Sequence, residues 1–302
     1  MKTNLIALVF ILFVNNISTS QEWMTDLNIA QKLAFVQNKM VLMVWEASTK
    51  YPYPVLVNDS RNRSVLIDNL FVDEDLSPLI WKYFVPVIVN ENQYEDLFKK
   101  IKGKRKTAYI DKFNDDSIKI MDVNGNILNM NIYDINSNYE DITILIRRYY
   151  IDTSMISQEL VNYKAEKSFY SAYYLASRYL DLSLYSIERV RPEIVGLSNI
   201  YFNEALEFLK TFSKEEKLVL EQRCSLLKIQ ESLIFKQPKK VIRALKKIKT
   251  ESIESANQSF VAFLYYASYM SLKDFDKAEV WKSNISLIDL RKAQMLINLN
   301  LK

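Results

Sequence analysis

Three acidic side chains in the first half of the chain could serve as paired catalytic carboxylates. Asp115 and Asp116 are adjacent, and Asp122 lies across a predicted strand from them. Two facing carboxylates with different pKa values can divide the acid and base roles of a hydrolysis. Adjacent residues in a loop point apart, so we do not expect a catalytic pair here.

The residue types that are missing exclude most other catalytic sites. The 302 residues include no histidine, which removes the Ser/His/Asp triad, the Cys/His dyad and the paired-histidine zinc helix. The one cysteine, Cys224, cannot form a redox Cys-x-x-Cys pair, an intrachain disulfide or a four-thiolate metal site. Gly103, Gly125 and Gly196 lie too far apart for a phosphate-binding loop. The sequence therefore predicts no cofactor, no metal and no enzymatic activity, and the single cysteine excludes thiol-disulfide exchange.

The first twenty residues have the pattern of an export signal. Lys2 supplies a positive start, Leu5 to Val14 are apolar without interruption, and polar residues follow as far as Ser20. Ten apolar residues are too few to span a bilayer. We expect residues 1–20 to be removed and the protein to be exported; a buried N-terminal helix is the alternative. The Asn, Ile, Lys and Tyr bias indicates an AT-rich bacterial genome, which favours a periplasmic over an extracellular location.

The composition changes near residue 150. Residues 21–150 hold 16 basic and 18 acidic residues and four of the six prolines, and short apolar runs alternate with helical periods. Residues 151–302 hold 23 basic and 18 acidic residues and carry apolar side chains at helical spacing. We therefore predict a mixed α/β domain at 21–150 and an all-helical domain at 151–302, and expect the two to unfold separately.

Several elements of the first half are predicted from local patterns. A helical period at 27–38 precedes a continuous apolar run at 39–46, and such a run is typical of a strand buried on both faces. Phe84 to Asn90 predicts a second buried strand, and helices are predicted at 65–81, 91–102 and 139–150. Asn124-Gly125, between Ile120 and Ile127, predicts a hairpin with a type I′ turn.

Five short features follow one another between Trp23 and Tyr150: Trp23, Ala30, Asn38-Lys39, Phe84-Val-Pro-Val87 and Asp122-Val-Asn-Gly125. In their order and spacing this part of the chain resembles the exported thioredoxin-like proteins. It implies a redox motif after the first buried strand, where this chain has Ser48, Thr49, Lys50, Tyr51, Pro52 and Tyr53. It also implies a cis-proline before the hairpin, at the position that Asp116 occupies here. Without a thiolate to attack a disulfide, such a fold would be redox-inactive.

The second half contains a faint repeat. Phe202-x-x-Ala205, Pro238-x-x-Val241 and Phe275-x-x-Ala278 are each predicted to open an amphipathic helix, with small residues 36 and 37 positions apart. Phe169-x-x-Ala172 is a fourth candidate. The pattern resembles degenerate tetratricopeptide-type helical hairpins, and an irregular helical bundle is the alternative. Ser213-x-x-Glu216 is a capping box that predicts a helix running to about Phe235.

Two groups of side chains in the second half could bind a partner. Tyrosines combine apolar area with a polar tip, which suits a protein-binding face, although they also line helix-helix contacts. The candidate partner-binding residues are Tyr173, Tyr174, Tyr265, Tyr266 and Tyr269. Residues 236–249 carry seven positive side chains and no negative ones. We interpret them as a solvated helix face, with contact to a membrane surface as the alternative, and we expect no nucleic-acid partner because an exported protein rarely meets one.

The patterns together predict an exported, non-catalytic protein-interaction or scaffold protein. It would combine a redox-inactive thioredoxin-like domain with a tetratricopeptide-like helical domain, and its partner would be a protein. Cys224 would be a buried core residue, with an intermolecular disulfide as the alternative. The alternative function is a carboxylate-based envelope enzyme acting on a glycan. That alternative requires two acidic side chains within about 10 Å of each other across a cleft.

Overall fold

The computed structural model describes residues 22–131, 139–249 and 252–301. The export signal predicted for residues 1–20 lies outside the described residues. The protein is mixed α/β, with two small three-stranded sheets in its first half and helices through its second. Among the helices of the described ranges, none has the length and apolar character needed to cross a membrane.

The first half alternates short helices with short strands. In chain order they are α1 (Leu27–Gln37), β1 (Met40–Trp45), β2 (Val55–Asn58), β3 (Ser64–Ile67), α2 (Leu76–Tyr83), β4 (Phe84–Val89), α3 (Tyr94–Ile101), α4 (Thr107–Asn114), β5 (Lys119–Met121), β6 (Glu140–Asp141) and α5 (Ile142–Tyr149).

The first sheet has β1 at its centre. β1 runs parallel to β4 on one side and antiparallel to β5 on the other. All six residues of β1 are buried, so the strand predicted from the continuous apolar run is confirmed. Single bridges extend both edges, since Met24 pairs in parallel with Val87 of β4 and Ile127 pairs antiparallel with Met121 of β5. The order across the sheet is therefore Met24, β4, β1, β5, Ile127.

The second sheet replaces part of a predicted helix. β2 pairs antiparallel with β3 and parallel with β6. A helix was predicted from residue 65 to 81, but β3 occupies Ser64–Ile67 and α2 begins only at Leu76. The prediction was wrong because Asn69 and Asp73 bind the backbone locally. The side-chain Oδ1 of Asn69 accepts from the Phe71 amide at 3.2 Å, and Asp73 Oδ1 accepts from the Leu76 amide at 2.8 Å.

The predicted hairpin is confirmed, but its turn is not of type I′. That turn needs positive φ at two residues, and within it only Gly125 has one, at 84°. The loop has three residues between Asp122 and Asn126, whose backbone groups pair at 2.9 Å. Asp122 Oδ1 accepts from the amides of Asn124 and Asn126 at 2.9 and 2.8 Å, which favours this longer turn.

The second half is helical in its described parts. In chain order its helices are α6 (Ser157–Ala165), α7 (Phe169–Ser183), α8 (Arg191–Leu209), α9 (Lys214–Ile234), α10 (Pro238–Leu245), α11 (Gln258–Ser271), α12 (Phe275–Lys282) and α13 (Leu287–Leu301).

Three of the four predicted helix-opening residues do open helices. Phe169, Pro238 and Phe275 are first residues of α7, α10 and α12, whereas Phe202 lies inside α8. The prediction for Phe202 failed because Pro192 fits the first turn of a helix that begins eleven residues before Phe202, at Arg191. Ser213 accepts from the Glu216 amide and caps α9, which confirms the predicted start of that helix. The reciprocal half of the predicted capping box differs, because the Glu216 carboxylate accepts from the Ser213 hydroxyl at 2.8 Å.

The two faces of β1 contribute to different cores. Val41 and Met43 belong to a cluster with Ala30 of α1 and residues of α3 and α4. Leu42 and Val44 belong to a larger cluster that continues through the helical half as far as α13. Alternate residues of a strand face opposite sides of the sheet. One face of the first sheet therefore shares its apolar core with the helices.

Candidate functional site

The segment that stands at the predicted redox-motif position follows β1 directly. Glu46–Thr49 form a short 3₁₀ helix, and Ser48 Oγ donates to the Asp116 carbonyl oxygen at 3.2 Å. Tyr51 is 78% exposed, while Tyr53 donates its hydroxyl to Glu140 Oε2 at 2.8 Å. The structure thus brings Ser48, at the start of this segment, next to Asp116.

A buried lysine lies beside Asp116. Lys119 Nζ contacts Asp115 Oδ1 at 3.1 Å and donates to the Ser117 carbonyl at 2.9 Å. Its side chain has no exposed surface, and burial lowers the pKa of Lys119 to about 8. Ser117 Oγ also donates a hydrogen bond to Asp115 Oδ1 at 2.5 Å and accepts one from Lys112 Nζ. Because the Asp115 carboxylate is engaged by these neighbours, we interpret it as a structural anchor for β5.

Asp122 is separated from the other two acidic residues of the sequence-based candidate. It is fully buried, and its Oδ2 accepts from the hydroxyls of Tyr201 and Tyr179, the latter at 3.4 Å. Asn126 Nδ2 donates to the same Tyr201 hydroxyl at 3.0 Å. Burial raises the pKa of Asp122 despite these donors. The carboxylate joins the hairpin to α7 and α8 and faces no cleft.

The helical half contains a partly open cavity of about 200 Å³. Four helices and the 3₁₀ turn before α11 contribute its walls. The lining residues are Tyr173, Tyr174 and Ser177 of α7, Arg223 and Gln230 of α9, Ala256, Ser259, Phe260 and Phe263 near and on α11, and Asp289 and Lys292 of α13. Two of the five predicted tyrosines are therefore part of it.

Tyr173 and Tyr174 line this cavity, and Tyr170 lies next to Tyr174 on α7. Tyr170 and Tyr174 are each 50% exposed, and their rings stack with centroids 6.5 Å apart. Tyr173 is buried beneath them, 5.6 Å from Tyr174 in an edge-to-face arrangement. We call Tyr170, Tyr173 and Tyr174 the aromatic rim.

The floor of the cavity is polar. Gln230 has no exposed surface, and neither Oε1 nor Nε2 of its amide has a hydrogen-bond partner in the described part of the chain. Arg223 Nη1 donates to two neutral oxygens, the Ala256 carbonyl at 3.2 Å and Asn257 Oδ1 at 3.4 Å. Lys292 Nζ lies 2.5 Å from Asp181 Oδ1, so its charge is already neutralised.

The other three predicted tyrosines lie elsewhere on α11. Tyr265 and Tyr269 stack at 5.9 Å, and Tyr265 stacks on Trp281 of α12 at 4.4 Å. Tyr266 is buried in the large core. The tyrosines of α7 and α11 therefore do not form one surface, and α11 reaches the cavity through Phe260 and Phe263 instead.

Gln230 and Arg223 were not predicted from the sequence. Gln230 does carry a signal, because it occupies an apolar face of α9 together with Leu226, Leu227, Leu233 and Ile234. A polar residue at such a position is either paired or placed for a ligand. The spacing of residues along α9 cannot decide between the two, since the facing residues come from three other helices.

Acidic pairs do not line the cavities described. The cavity in the helical half includes Asp289, a larger one between α5 and α7 includes Asp152, and a groove along α9 and α10 includes Glu231. Each of these three thus has a single carboxylate in its lining. Within residues 22–131, 139–249 and 252–301 no three His, Cys, Asp or Glu side chains are grouped to hold a metal ion.

Comparisons of the chain with protein-family models, with curated proteins and with solved structures find no match.

Proposed function

We propose that this protein is a non-catalytic, exported binding or scaffold protein that recognises another protein. Its first half, residues 21–150, would be a redox-inactive thioredoxin-like domain, and its second half, residues 151–302, an array of tetratricopeptide-like helical hairpins. We propose the periplasm or the extracellular space as its location.

The arrangement of the first sheet supports the thioredoxin-like part of the proposal. A central strand has a parallel neighbour on one side and an antiparallel hairpin on the other, which agrees with the resemblance noted in the sequence. The Ser48–Tyr53 segment follows that central strand and contacts Asp116. With serine and tyrosine in place of thiols, this segment has no group for disulfide exchange.

The aromatic rim carries the proposal of partner binding. Half-exposed aromatic rings over a cavity resemble the anchor pockets at the centres of protein interfaces, where tyrosine is enriched. The rim lies on the half of the chain with an excess of basic over acidic residues, 23 against 18. This half would therefore favour an acidic partner.

Site-specific photo-crosslinking tests the proposal. p-Benzoylphenylalanine would replace Tyr174 in one variant and Tyr51, which is more exposed but lies far from the rim in the chain, in a matched control. We expect a discrete adduct with one protein of the cell envelope from the Tyr174 position and none from Tyr51. Identical adduct patterns at both positions, or none at either, would contradict a partner site at the rim.

The glycan-enzyme alternative makes a different prediction. It requires release of soluble fragments from purified envelope glycan, and this release must disappear when an acidic residue is replaced. The single carboxylates of the three cavities give this alternative no candidate pair.

A further inference from the structure

The polar floor of the cavity in the helical half has more hydrogen-bonding capacity than the protein uses. The Gln230 amide offers two donors and one acceptor group, and none of these is engaged within the described residues. Buried side-chain amides in folded proteins are almost always paired with protein, water or ligand. The Gln230 amide therefore indicates that the cavity is occupied when the protein functions.

Arg223 defines the charge of the occupant. Its guanidinium donates to two neutral oxygens and lies 5.9 Å from the Phe260 ring, so its positive charge is not matched by these contacts. Of the other charged lining residues, Lys292 is paired with Asp181, and Asp289 accepts from the Ser286 hydroxyl at 2.7 Å where α13 begins. A planar guanidinium next to a cavity favours a carboxylate, to which it can donate two parallel hydrogen bonds.

The distance between the two groups defines the size of the occupant. Arg223 and Gln230 are seven residues apart on α9, which places their Cα atoms about 10 Å apart along the helix. Their long side chains can approach the two ends of a single amino-acid residue from that separation. The cavity, at about 200 Å³, exceeds the 150 Å³ or so that admits a benzene-sized molecule.

We propose that this cavity binds the carboxyl-terminal residue of a polypeptide. The terminal carboxylate pairs with Arg223, the preceding peptide group exchanges hydrogen bonds with the Gln230 amide, and the peptide leaves the cavity past the half-exposed ring of Tyr174. This inference rests on the proposed function and assigns the partner's chemistry at the same site.

Calorimetric titration of the full chain with matched peptides tests the proposal. The probes are a pentapeptide of alanine and glycine with a free carboxyl terminus, the same pentapeptide as its terminal amide, and N-acetylalanine. We expect the acid pentapeptide to bind at least tenfold more tightly than the amide. Equal affinity of acid and amide, or no binding of either, would overturn the proposal. Binding of N-acetylalanine alone would overturn the assignment to a polypeptide, because the site would then be one for free small acids.

Two variants and a control locate the binding. Gln230→Met keeps the side-chain volume but removes the amide. It should therefore weaken binding of the acid pentapeptide at least tenfold without lowering the melting temperature of the protein. Arg223→Gln should abolish the preference for acid over amide. Arg243→Gln, on the exposed face of α10, removes the same charge away from the cavity and should leave affinity unchanged. The proposal would be overturned if Arg223→Gln and Arg243→Gln lost equal affinity for the acid pentapeptide, or if Gln230→Met bound it as tightly as the native protein does.

The outcomes separate this inference from the proposed function. A specific crosslink from Tyr174 combined with equal binding of acid and amide peptides rejects the carboxyl-terminal assignment alone. Absence of both the crosslink and the peptide binding rejects the two together.

Discussion

The thiol of Cys224 is shielded by the helix packing around α9. Only 2% of the residue is exposed, and burial raises the pKa of its thiol to about 12. At pH 8 the thiolate fraction should be about a thousandfold below that of a free cysteine. We therefore expect native protein to react with iodoacetamide at least a hundredfold more slowly than protein in urea, as measured by mass spectrometry. Rapid labelling of the native protein would contradict the burial of Cys224 and would favour the alternative that it forms an intermolecular disulfide.

Lys119 should make stability depend on pH in an unusual direction. Its pKa falls from 10.5 in the unfolded chain to about 8 in the fold, because burial disfavours the charge. Between these values the unfolded state binds more protons at this residue, so the contribution of Lys119 to the free energy of unfolding should rise with pH, by about 3 kcal/mol over the complete titration. Urea denaturation at pH 8.0, 8.8 and 9.5 samples roughly half of this rise, about 1.5 kcal/mol, before most tyrosines titrate.

A matched variant isolates the contribution of Lys119. Lys119→Met removes the titrating group and keeps a side chain of similar length. Cys224 and the buried tyrosines have pKa values raised by burial, so they lower the free energy of unfolding with rising pH equally in both proteins. The difference in free energy of unfolding between the native protein and the variant therefore isolates Lys119, and it should rise by about 1.5 kcal/mol from pH 8.0 to 9.5. A difference that stays constant or falls over this range would show that Lys119 is not the responsible group.

Some site residues could be recognised from the sequence, and their partners could not. Gln230 and Lys119 are polar residues among apolar neighbours, which marks them as unusual in any helix or strand. The surroundings of both residues depend on distant segments of the chain. Lys119 contacts Asp115, whose neighbour Asp116 accepts from Ser48. The cavity walls around Gln230 come from α7, α11 and α13. Tertiary packing decides these contacts, and local spacing carries no information about it.

The hairpin after β5 offers a test of an individual element. Gly125 has φ of 84°, and a Cβ atom there would lie 2.9 Å from Gln31 Nε2 of α1. Gly125→Ala should therefore reduce the free energy of unfolding by about 1 to 2 kcal/mol, because the left-handed conformation is costly for other residues. Thermal or urea unfolding measures the change.

Gly196 provides the opposite control on α8. It lies inside the helix, and a Cβ atom there would meet nothing within 4 Å. Gly196→Ala should raise the free energy of unfolding by about 0.5 to 1 kcal/mol, since alanine is the better helix former. If Gly125→Ala raises the free energy of unfolding as Gly196→Ala does, the turn assigned to Gly125 is wrong.

Elements with strong patterns were predicted well, and those decided by side-chain contacts were not. β1 and β4 follow from apolar runs that only a doubly buried strand explains. β3 was predicted as helix because Val65, Leu66 and Ile67 are compatible with both periods, and Asn69 decides against the helix. The prediction of a type I′ turn failed for a similar reason, because the Asp122 carboxylate accepts from the amides of Asn124 and Asn126 and so favours a longer loop.

At the scale of the whole molecule, the shared core predicts how the protein unfolds. Val44 is fully buried in the cluster that extends to α13, so Val44→Asp would bury a carboxylate in a core common to both halves. The cost of several kcal/mol is comparable with the stability of an average domain. We expect circular dichroism of this variant to show loss of all cooperative structure, in contrast to the separate unfolding that composition alone predicts.

The control for this variant is a surface valine of α1. Val36 is 75% exposed, so Val36→Asp should change the free energy of unfolding by no more than about 0.5 kcal/mol. A cooperative helical transition that persists in Val44→Asp would show that residues 151–302 form an independent domain despite the continuous core.

The position of Asp122 has a consequence for the order of events during synthesis. The tyrosines whose hydroxyls bind its carboxylate follow it in the chain by 57 and 79 residues. At ordinary rates of translation the second arrives roughly 4 to 16 s after the aspartate leaves the peptidyl-transferase centre. During that interval the nascent hairpin must keep its carboxylate hydrated, and the sheet surface around it cannot close. Emergence of α8 from the ribosome is therefore the earliest moment at which the first half can reach its final packing.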